Sequence, residues 1–342
     1  MRVGLDVQLA RGTATGIGEY ASGLLAALRD RGIDAVGLEA PWLDPWRFDR
    51  RVLWDQVLLP LAARRARIDV AHCASGTMPL LAGTPMVVTV HDVAWLRAQQ
   101  HARPYARAYF GAFSLARYGV ARRILVDSAF SRSELLALGH FDEARVSVVY
   151  PGVAADIAAI RRAPDRDRPF ALVVGTVERR KNLEVAIRAL ARVPELRLVS
   201  VGPPTPYLER CAALAAELGV AARVDFRGYV ARETVLHLYA TATVALVPSR
   251  YEGFGYGAAQ ALAAGVPLVA ARSSSLPEVV GDAAPLADPD DVAAWRDALA
   301  AIVATPGHAD ARAQTGRAAA VARFGWPQAA RAAAAAYAAA AG

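Results

Sequence analysis

Cysteine is scarce in this sequence, with only Cys73 and Cys211 among 342 residues. Two thiols cannot build a disulfide framework, so a reducing compartment is the simplest interpretation and we expect a cytoplasmic protein. Long apolar runs are also missing, because none reaches the roughly 18–20 residues that a membrane-spanning helix needs. Asp6 lies where a signal peptide would need an apolar stretch, which argues against secretion.

Lysine is nearly absent as well. Of the 39 basic residues, 38 are arginine and one, Lys181, is lysine. This imbalance indicates a coding bias toward arginine, and a lysine that persists against it is a candidate for a role that needs a compact point charge. Chance is the alternative explanation, since a single lysine must lie somewhere.

The formal net charge is +7, and the first 163 residues are the more basic part, with 20 arginines against 15 acidic residues. Excess positive charge attracts phosphates, anionic headgroups or nucleic acid. No basic run is longer than three residues and none is interleaved with aromatic residues, so nucleic acid is not an expected partner. A phosphate-bearing small molecule or an anionic membrane surface fits the charge better.

Short runs rich in Val, Ile and Leu alternate with amphipathic stretches such as 20–31, 183–192 and 206–218. This rhythm predicts an α/β protein with parallel sheets whose strands are buried on both faces. The predicted strands are 3–7, 35–38, 70–72, 86–90, 124–127, 146–149, 171–174, 198–201, 224–226, 245–247 and 268–270.

Residues 161–169 are the best linker candidate, because they contain two prolines and six charged residues. They divide the chain into an N-terminal domain, 1–162, and a C-terminal domain, 163–322. The alanine-rich end, 323–342, is expected to form a helix that packs back on the N-terminal domain. Two doubly wound domains leave a cleft at the carboxyl ends of their strands, where ligands bind in such sheets.

Two segments of the first half follow predicted strands. Residues 12–20 are rich in glycine, which lets a backbone approach a ligand closely, and the helix after them offers free N–H groups to an anion. An unliganded tight turn would give the same pattern. His91 and Asp92 end another strand, where His91 could hold a substrate hydroxyl, shuttle a proton or be purely structural.

Two segments of the second half also follow strands. Arg180 and Lys181 lie on a loop that leads into a helix, and there they are placed to neutralise a diphosphate, although a solvated loop pair is the alternative. Glu252 lies just before the helix predicted at 258–264 and can accept hydrogen bonds from sugar hydroxyls. The backbone of the glycine-rich residues after it can donate to a phosphate.

Taken together, these motifs resemble the GT-B glycosyltransferases of retaining family 4, which include mannosyl- and rhamnosyltransferases of bacterial polysaccharide assembly. The resemblance covers nearly the whole chain. It rests on the segments GIGEY (16–20), HDVAWL (91–96), SAFSRSEL (128–135), YPGV (150–153), GTVERRKNL (175–183), FRGYV (226–230), PSRYEGFGYG (248–257), AGVPLV (264–269) and SSLPEV (274–279).

The resemblance implies a GT-B fold, in which two Rossmann-like domains face each other across a cleft. It also implies the site residues. The expected catalytic residues are His91, Arg180, Lys181 and Glu252. The expected donor-binding residues are Gly16, Thr176, Tyr229, Val230, Gly253, Phe254, Gly255, Tyr256 and Gln260. The expected acceptor-binding residues are Gly18, Glu19 and Asp92.

The sequence departs from the family pattern at Gln260. The family usually has a second glutamate eight positions after the first, where it binds the ribose of the donor. Glutamine can still accept and donate hydrogen bonds, but it lacks the charge that strengthens them. The change admits a weaker donor site or a non-catalytic relative.

No metal or other cofactor is expected. Asp165 and Asp167 match a D-x-D pattern, but they lie in the predicted linker, and no His/Cys cluster has metal-binding spacing. Arg180, Lys181 and a helix N-terminus would replace the cation.

The leading hypothesis is a retaining glycosyltransferase that moves a sugar, preferably mannose from GDP-mannose, to a saccharide or lipid-linked saccharide. Donors of the UDP-sugar and dTDP-rhamnose types stay open. The alternatives are a non-catalytic nucleotide- or carbohydrate-binding relative and a sugar-nucleotide epimerase. The basic first half also suits contact with the inner face of the plasma membrane.

Overall fold

The computed structural model of the chain describes residues 1–11, 16–44, 46–81, 83–94, 104–139 and 141–342. The chain forms two compact units. One consists of Met1–Gly152 together with Phe324–Gly342, and the other of Val153–Arg323. Among the described residues, no helix combines the length and the apolarity needed to cross a membrane.

The division between the units differs from the boundary expected at residue 162, because residues 161–169 all lie within the second unit. The guanidinium of Arg162 donates hydrogen bonds to the carbonyl oxygens of Tyr239, Ala240 and Ala242, at the end of a helix. The charge and proline content that indicated a linker therefore belongs to a segment that packs on its own unit.

The first unit contains a six-stranded parallel sheet in the order β2-β1-β3-β4-β5-β6. Its strands are β1 (Arg2–Asp6), β2 (Asp34–Leu38), β3 (Val70–Cys73), β4 (Met86–Val90), β5 (Arg123–Val126) and β6 (Val146–Val148). Its α-helices are Gly16–Asp30, Phe48–Leu53, Leu59–Arg65, Pro104–Phe110, Ala112–Tyr118, Ala129–Leu138 and Trp326–Ala341. A π-turn spans Trp54–Leu58, and 3₁₀ turns span Gln8–Ala10 and Glu143–Arg145.

The helix Trp326–Ala341 packs on the first unit, against the helix Gly16–Asp30. The hydroxyl of Tyr337 lies 2.7 Å from Nδ1 of His72 on β3. The Trp326 indole fills a space left by two glycines, since a Cβ atom at Gly23 or Gly152 would lie 2.3 or 2.2 Å from its ring. These contacts anchor the end of the chain to the first sheet.

The second unit contains a parallel sheet in the order β12-β11-β10-β7-β8-β9. Its strands are β7 (Phe170–Val174), β8 (Arg197–Val201), β9 (Val224–Phe226), β10 (Val244–Val247), β11 (Leu268–Ala271) and β12 (Leu286–Ala287). Its α-helices are Ala155–Ala158, Leu183–Leu190, Tyr207–Glu217, Arg232–Thr241, Tyr256–Ala263, Leu276–Val280, Val292–Ala304 and Pro306–Arg323. Its 3₁₀ turns span Arg179–Lys181 and Ala221–Arg223.

Each sheet has one point at which the strand order reverses. In the first unit this point lies between β1 and β3, and in the second unit it lies between β7 and β10. The order of the second sheet, read from β9 to β12, is that of the Rossmann fold. In such sheets ligands bind at the carboxyl ends of the strands that flank the reversal, so the loops after β7 and β10 are the first place to look for a site.

Candidate functional site

Two loops meet at the reversal point of the second sheet. The loop after β7 contains the turn Arg179–Lys181, and the loop after β10 contains Ser249 and Glu252. The backbone N–H of Arg250 donates to the carbonyl oxygen of Arg180 over 2.7 Å, which joins the two loops directly.

The side chains of Arg180 and Lys181 converge on Glu252. Lys181 Nζ lies 2.6 Å from Oε1 of the glutamate, and Arg180 Nη1 lies 3.3 Å from Oε2. The hydroxyl of Ser249 also donates to Oε1, over 2.6 Å. The Glu252 side chain is 9% exposed, whereas the Lys181 side chain is 22% exposed and the Arg180 side chain is 38% exposed. The carboxylate is therefore buried and paired, while both cations still reach solvent.

The protonation state of Glu252 follows from these contacts. Burial by itself would raise the pKa of the carboxyl, but the charges of Lys181 and Arg180, with hydrogen bonds from Lys181 and Ser249, hold the pKa below its ordinary value. Glu252 is thus a carboxylate at neutral pH, and it neutralises part of the charge of the two cations.

A small pocket opens beside this group at the ends of β7 and β10. Gly175 follows β7 with a φ of 141°, a backbone conformation that favours glycine, and a Cβ atom there would lie 3.8 Å from Lys181 Nζ, in ordinary contact. The pocket is lined by Val173, Val174, Gly175, Lys181, Leu246, Val247, Pro248, Ser249, Glu252 and Gly257.

Three consecutive serines hold the Glu252 loop in place. Ser274 Oγ accepts a hydrogen bond from the backbone N–H of Glu252, and Ser275 Oγ donates to its carbonyl oxygen, each over 2.9 Å. Ser273 Oγ donates to the carbonyl oxygen of Ser249. Sequence reasoning did not assign these serines to the site. The sequence shows three serines in a row after β11, but only the fold shows which loop they contact.

Asn182 supports the other loop and was also missed as a site residue. It adopts a left-handed backbone conformation, with φ of 54°, which asparagine tolerates better than most residues. Its side chain donates to the carbonyl oxygen of Pro289 over 2.8 Å and accepts from Arg250. This buried contact fixes the position of Lys181, the preceding residue.

The helix Tyr256–Ala263 starts directly after the Glu252 loop. Gly255 precedes it with φ of 95°, and a Cβ atom there would lie 2.7 Å from Leu276 Cδ2, so only glycine fits. Gly253 and Phe254 are buried, and the rings of Phe254 and Tyr256 meet edge to face at 5.6 Å. The start of a helix is the positive end of its dipole, which attracts an anion.

The other residues of the second unit that were predicted to bind the donor lie in different surroundings. Gln260 is 8% exposed, and its Oε1 accepts a hydrogen bond from the Tyr239 hydroxyl over 3.2 Å. The oxygen expected to meet a ribose is therefore already engaged. Tyr229 is exposed, and Val230 and Thr176 are partly exposed. Their roles toward a base or donor stay predictions.

In the first unit, His91 has a partner on each ring nitrogen. Nδ1 lies 2.7 Å from Asp127 Oδ2, and Nε2 lies 2.8 Å from the carbonyl oxygen of Ala74. A carbonyl oxygen only accepts, so Nε2 carries a hydrogen. Burial alone would lower the pKa of His91, but Asp127 raises it above its ordinary value. A substrate hydroxyl could bind a ring nitrogen only by breaking one of these bonds.

The other predicted residues of the first unit lie near the start of its helices and loops. Gly16 is exposed at the beginning of the helix Gly16–Asp30, and Gly18 and Glu19 lie in its first turn. Asp92 Oδ1 accepts a hydrogen bond from the N–H of Ala94 over 3.0 Å. Two parts of the predicted motifs, 12–15 and 95–96, lie outside the described residues.

No metal-binding group is found within the described part of the chain, where no three His, Cys, Asp or Glu side chains converge. Asp165 of the D-x-D pattern instead accepts a hydrogen bond from the N–H of Arg168 over 2.9 Å, as in an ordinary turn.

Comparison with known proteins identifies the family of the chain. The profile described as Glycosyltransferase Family 4 matches residues 14–157, and the profile described as Glycosyl transferases group 1 matches residues 156–320. The MMP alpha-(1->4)-mannosyltransferase of Mycolicibacterium hassiacum is 32% identical over 289 residues, covering 78% of this chain and 69% of that protein. The chain belongs to glycosyltransferase family 4. The resemblance seen in the sequence is confirmed.

Other family 4 relatives are longer than this chain. The D-inositol 3-phosphate glycosyltransferase of Mycolicibacterium paratuberculosis is 34% identical over 220 residues, which cover 60% of this chain and 50% of that protein. The chain thus spans about half the length of the curated relatives of this kind.

Solved structures confirm the predicted GT-B fold. Sucrose-phosphate synthase from Thermosynechococcus elongatus has a TM-score of 0.78 at 21% identity, with 96% of each chain covered. Anabaena HepE, in a complex with UDP and glucose, has a TM-score of 0.74 at 18% identity, with 98% of each chain covered. At these identities the likeness establishes the fold.

Proposed function

We propose that this chain transfers a sugar from a nucleoside diphosphate sugar to a hydroxyl of a saccharide or lipid-linked saccharide, with retention of anomeric configuration. The observation that carries the proposal is the pairing of Lys181 and Arg180 with buried Glu252 at the reversal point of the Rossmann-type sheet. Membership of family 4 and the names of the relatives support the same reaction class.

The diphosphate of the donor would be bound by Lys181, Arg180 and the N-terminus of the helix Tyr256–Ala263. An ammonium group has three hydrogens, so Lys181 can donate to a phosphate while it keeps its bond to Glu252. The guanidinium of Arg180 can bind phosphate through two parallel hydrogen bonds. These groups supply the charge that a divalent cation supplies elsewhere, and we propose a reaction that needs no metal or other cofactor.

Glu252 would bind the hydroxyls of the transferred sugar. It is ionised, and a carboxylate can accept more hydrogen bonds than its present partners supply. Its loop is held on both backbone sides by Ser274 and Ser275. A fixed acceptor of this kind orients the sugar relative to the diphosphate.

The rate would come from stabilising the charge on the departing diphosphate and from orienting the two substrates. The acceptor hydroxyl would attack on the face from which the diphosphate leaves, which gives retention without a covalent carboxylate intermediate. We propose that His91, Gly18, Glu19 and Asp92 of the first unit act on the acceptor side. With both nitrogens of His91 engaged, its contribution would be to orient neighbouring groups.

GDP-mannose is our first candidate donor, and the relative from Mycolicibacterium hassiacum that is named a mannosyltransferase supports it. UDP-sugars and dTDP-rhamnose are the other candidates. We propose that the reaction takes place in the cytoplasm. A membrane-bound acceptor would place it at the inner face of the plasma membrane.

A panel of nucleoside diphosphates and their sugars tests the proposal by thermal shift and by product analysis. A ligand that binds only the native state raises the melting temperature. We expect one base to be preferred, and the matching sugar nucleotide to be hydrolysed or transferred in the presence of EDTA. Binding without hydrolysis or transfer to any of a set of saccharide acceptors would favour the non-catalytic alternative. Activity that is lost in EDTA and restored by Mg²⁺ or Mn²⁺ would refute the metal-independent reaction.

A further inference from the structure

A stripe of exposed apolar side chains runs along one helical segment of the first unit. The helix Phe48–Leu53, the π-turn Trp54–Leu58 and the helix Leu59–Arg65 follow one another without a break. Leu53, Val57 and Leu61 are spaced four residues apart on this segment, and they are 41%, 46% and 43% exposed. Three large apolar side chains that share one exposed helix face form an apolar patch, in contrast to single apolar residues scattered over a surface.

The π-turn keeps the stripe on one side of the segment. In an α-helix, residues four apart overshoot a full turn by about 40°. In a π-turn the backbone ring is wider, so residues four apart fall short of a full turn. The step from Leu53 to Val57 lies in the π-turn, and most of the step from Val57 to Leu61 lies in the following α-helix, so the two deviations oppose each other.

The opposite face of the segment is fixed by buried polar contacts. The Trp54 indole donates to Asp6 Oδ1 over 3.0 Å, and Arg51 Nη2 lies 3.6 Å from Asp6 Oδ2. Tyr109 donates to Asp55 Oδ2. These contacts set the rotation of the segment, so the outward direction of Leu53, Val57 and Leu61 is a consequence of well-packed neighbours.

Positive charge follows the stripe along the same segment. Residues 46–67 contain six arginines and two aspartates, and one of each, Arg51 and Asp55, are buried together. Arg64, Arg65 and Arg67 are exposed, and none of the three forms a salt bridge to a carboxylate in the described parts of the chain. The segment therefore offers cations that have no acidic partner of their own.

Two exposed tryptophans precede the same segment. Trp42 is 70% exposed and Trp46 is 55% exposed. Tryptophan is enriched at membrane–water interfaces, where the ring has an apolar and a polar surrounding.

We propose that residues 42–44 and 46–67 form a surface that docks on an anionic lipid bilayer. The apolar stripe would enter the headgroup region, the tryptophans would lie at the interface, and the arginines would contact anionic headgroups. A second copy of the chain fits this surface less well, because it would bring unpaired arginines against each other. The proposal does not depend on sugar transfer, since vesicle binding is measured without a donor.

Vesicle flotation tests the docking surface. The full chain should bind vesicles containing about 30% phosphatidylglycerol in phosphatidylcholine, and it should bind pure phosphatidylcholine at least about 30-fold more weakly, because neutral vesicles offer the arginines no anionic headgroup. The variant Leu53→Ser/Val57→Ser/Leu61→Ser should lower the partition coefficient by at least about tenfold. The variant Arg64→Gln/Arg65→Gln should lower it by about 30-fold on anionic vesicles, and it should reduce the dependence of binding on salt.

Matched controls separate this surface from general stickiness. The apolar control replaces three exposed residues elsewhere by serine, namely Leu81, Val120 and Val321. The charge control is Arg188→Gln/Arg192→Gln in the second unit, where both arginines are exposed. Both controls should bind vesicles like the wild type, and circular dichroism should show that all variants are folded.

Several outcomes would overturn the proposal. Wild-type protein that does not float with anionic vesicles would refute it, as would controls that lose as much binding as the stripe variants. Light scattering without lipid gives a third outcome. A wild-type dimer that becomes a monomer in the triple-serine variant, with vesicle binding unchanged, would assign the stripe to self-association instead.

Discussion

The ammonium nitrogen of Lys181 lies 2.6 Å from Oε1 of Glu252, so the only lysine of the sequence is paired with the buried acid of the opposite loop. Arg180 contacts the other oxygen of the same carboxylate. The proposed sugar-binding acid and the proposed diphosphate-binding cations are therefore one electrostatic unit. A change in either part alters the charge that the other presents to a ligand.

Glu252→Gln should separate binding of the diphosphate from binding of the sugar. The amide removes the negative charge that partly neutralises Lys181 and Arg180, so we expect a nucleoside diphosphate without sugar to bind at least as tightly as in the wild type. Turnover should fall by about 100-fold or more, because the sugar loses its charged hydrogen-bond acceptor. Calorimetric titration and steady-state kinetics measure the two effects. A variant that loses affinity for the diphosphate in parallel with turnover would contradict this division of roles.

Gln260 and Tyr239 form a buried hydrogen bond that bears on the ribose prediction. We expect Gln260→Ala to raise the donor KM about tenfold or less and to leave kcat within about twofold, since a ribose contact is made equally in the ground and transition states. Tyr239→Phe should raise KM in the same direction, because it leaves the amide oxygen without its donor and free to turn. If both variants keep the wild-type KM, Gln260 does not contribute to donor binding.

The strands were largely predictable because parallel strands buried on both faces leave continuous apolar runs in the sequence. Every predicted strand overlaps an observed one, including β7 and β10, which flank the site. One observed strand was not predicted. It is β12, Leu286–Ala287, which is too short to leave an apolar run in the sequence. Lys181 and Glu252 were also identifiable, since each follows a predicted strand and belongs to a family motif.

The contacts between these residues were not predictable from their spacing. Lys181 and Glu252 are 71 positions apart, and their pairing depends on the reversal of strand order between β7 and β10. The serines at 273–275 act on a loop of another strand for the same reason. Arg162 looked like part of a charged linker because the helix carbonyls that it contacts lie far along the chain.

His72 makes the stability of the chain sensitive to acid. Burial lowers the pKa of His72 to about 3, whereas the pKa of a histidine in the unfolded chain is about 6.5. Below pH 6.5 the unfolded chain gains a proton that the native chain cannot hold, so stability falls as the pH falls. From pH 7 to pH 5 we expect a loss of about 2 kcal/mol that is absent in His72→Gln.

Chemical denaturation of both proteins at pH 7, 6 and 5 measures this difference. Other titrating groups are common to the two proteins and cancel in the comparison. Equal losses of stability in wild type and His72→Gln would show that His72 is not the buried neutral histidine described here.

Gly23 allows the helix Trp326–Ala341 to pack on the first unit. A methyl group at this position would lie 2.3 Å from the Trp326 ring, so Gly23→Ala should destabilise the unit by about 2 kcal/mol through overpacking. Gly307→Ala is the control, since a Cβ atom there meets nothing within 4 Å, and it should be neutral or slightly stabilising. Thermal denaturation compares the stability of the two variants. A Gly23→Ala protein as stable as the control would show that the indole does not occupy this space.

Titration of GDP and UDP into wild type, Lys181→Gln and Arg179→Gln tests the central claim most directly. Arg179 lies on the same turn as Lys181 and is exposed, so it controls for the loss of one positive charge in this loop. If the paired ammonium of Lys181 binds the diphosphate, Lys181→Gln should weaken the preferred nucleotide by about 30-fold, and Arg179→Gln should stay within about threefold of wild type. A folded Lys181→Gln protein that binds the nucleotide as tightly as the wild type would contradict the account.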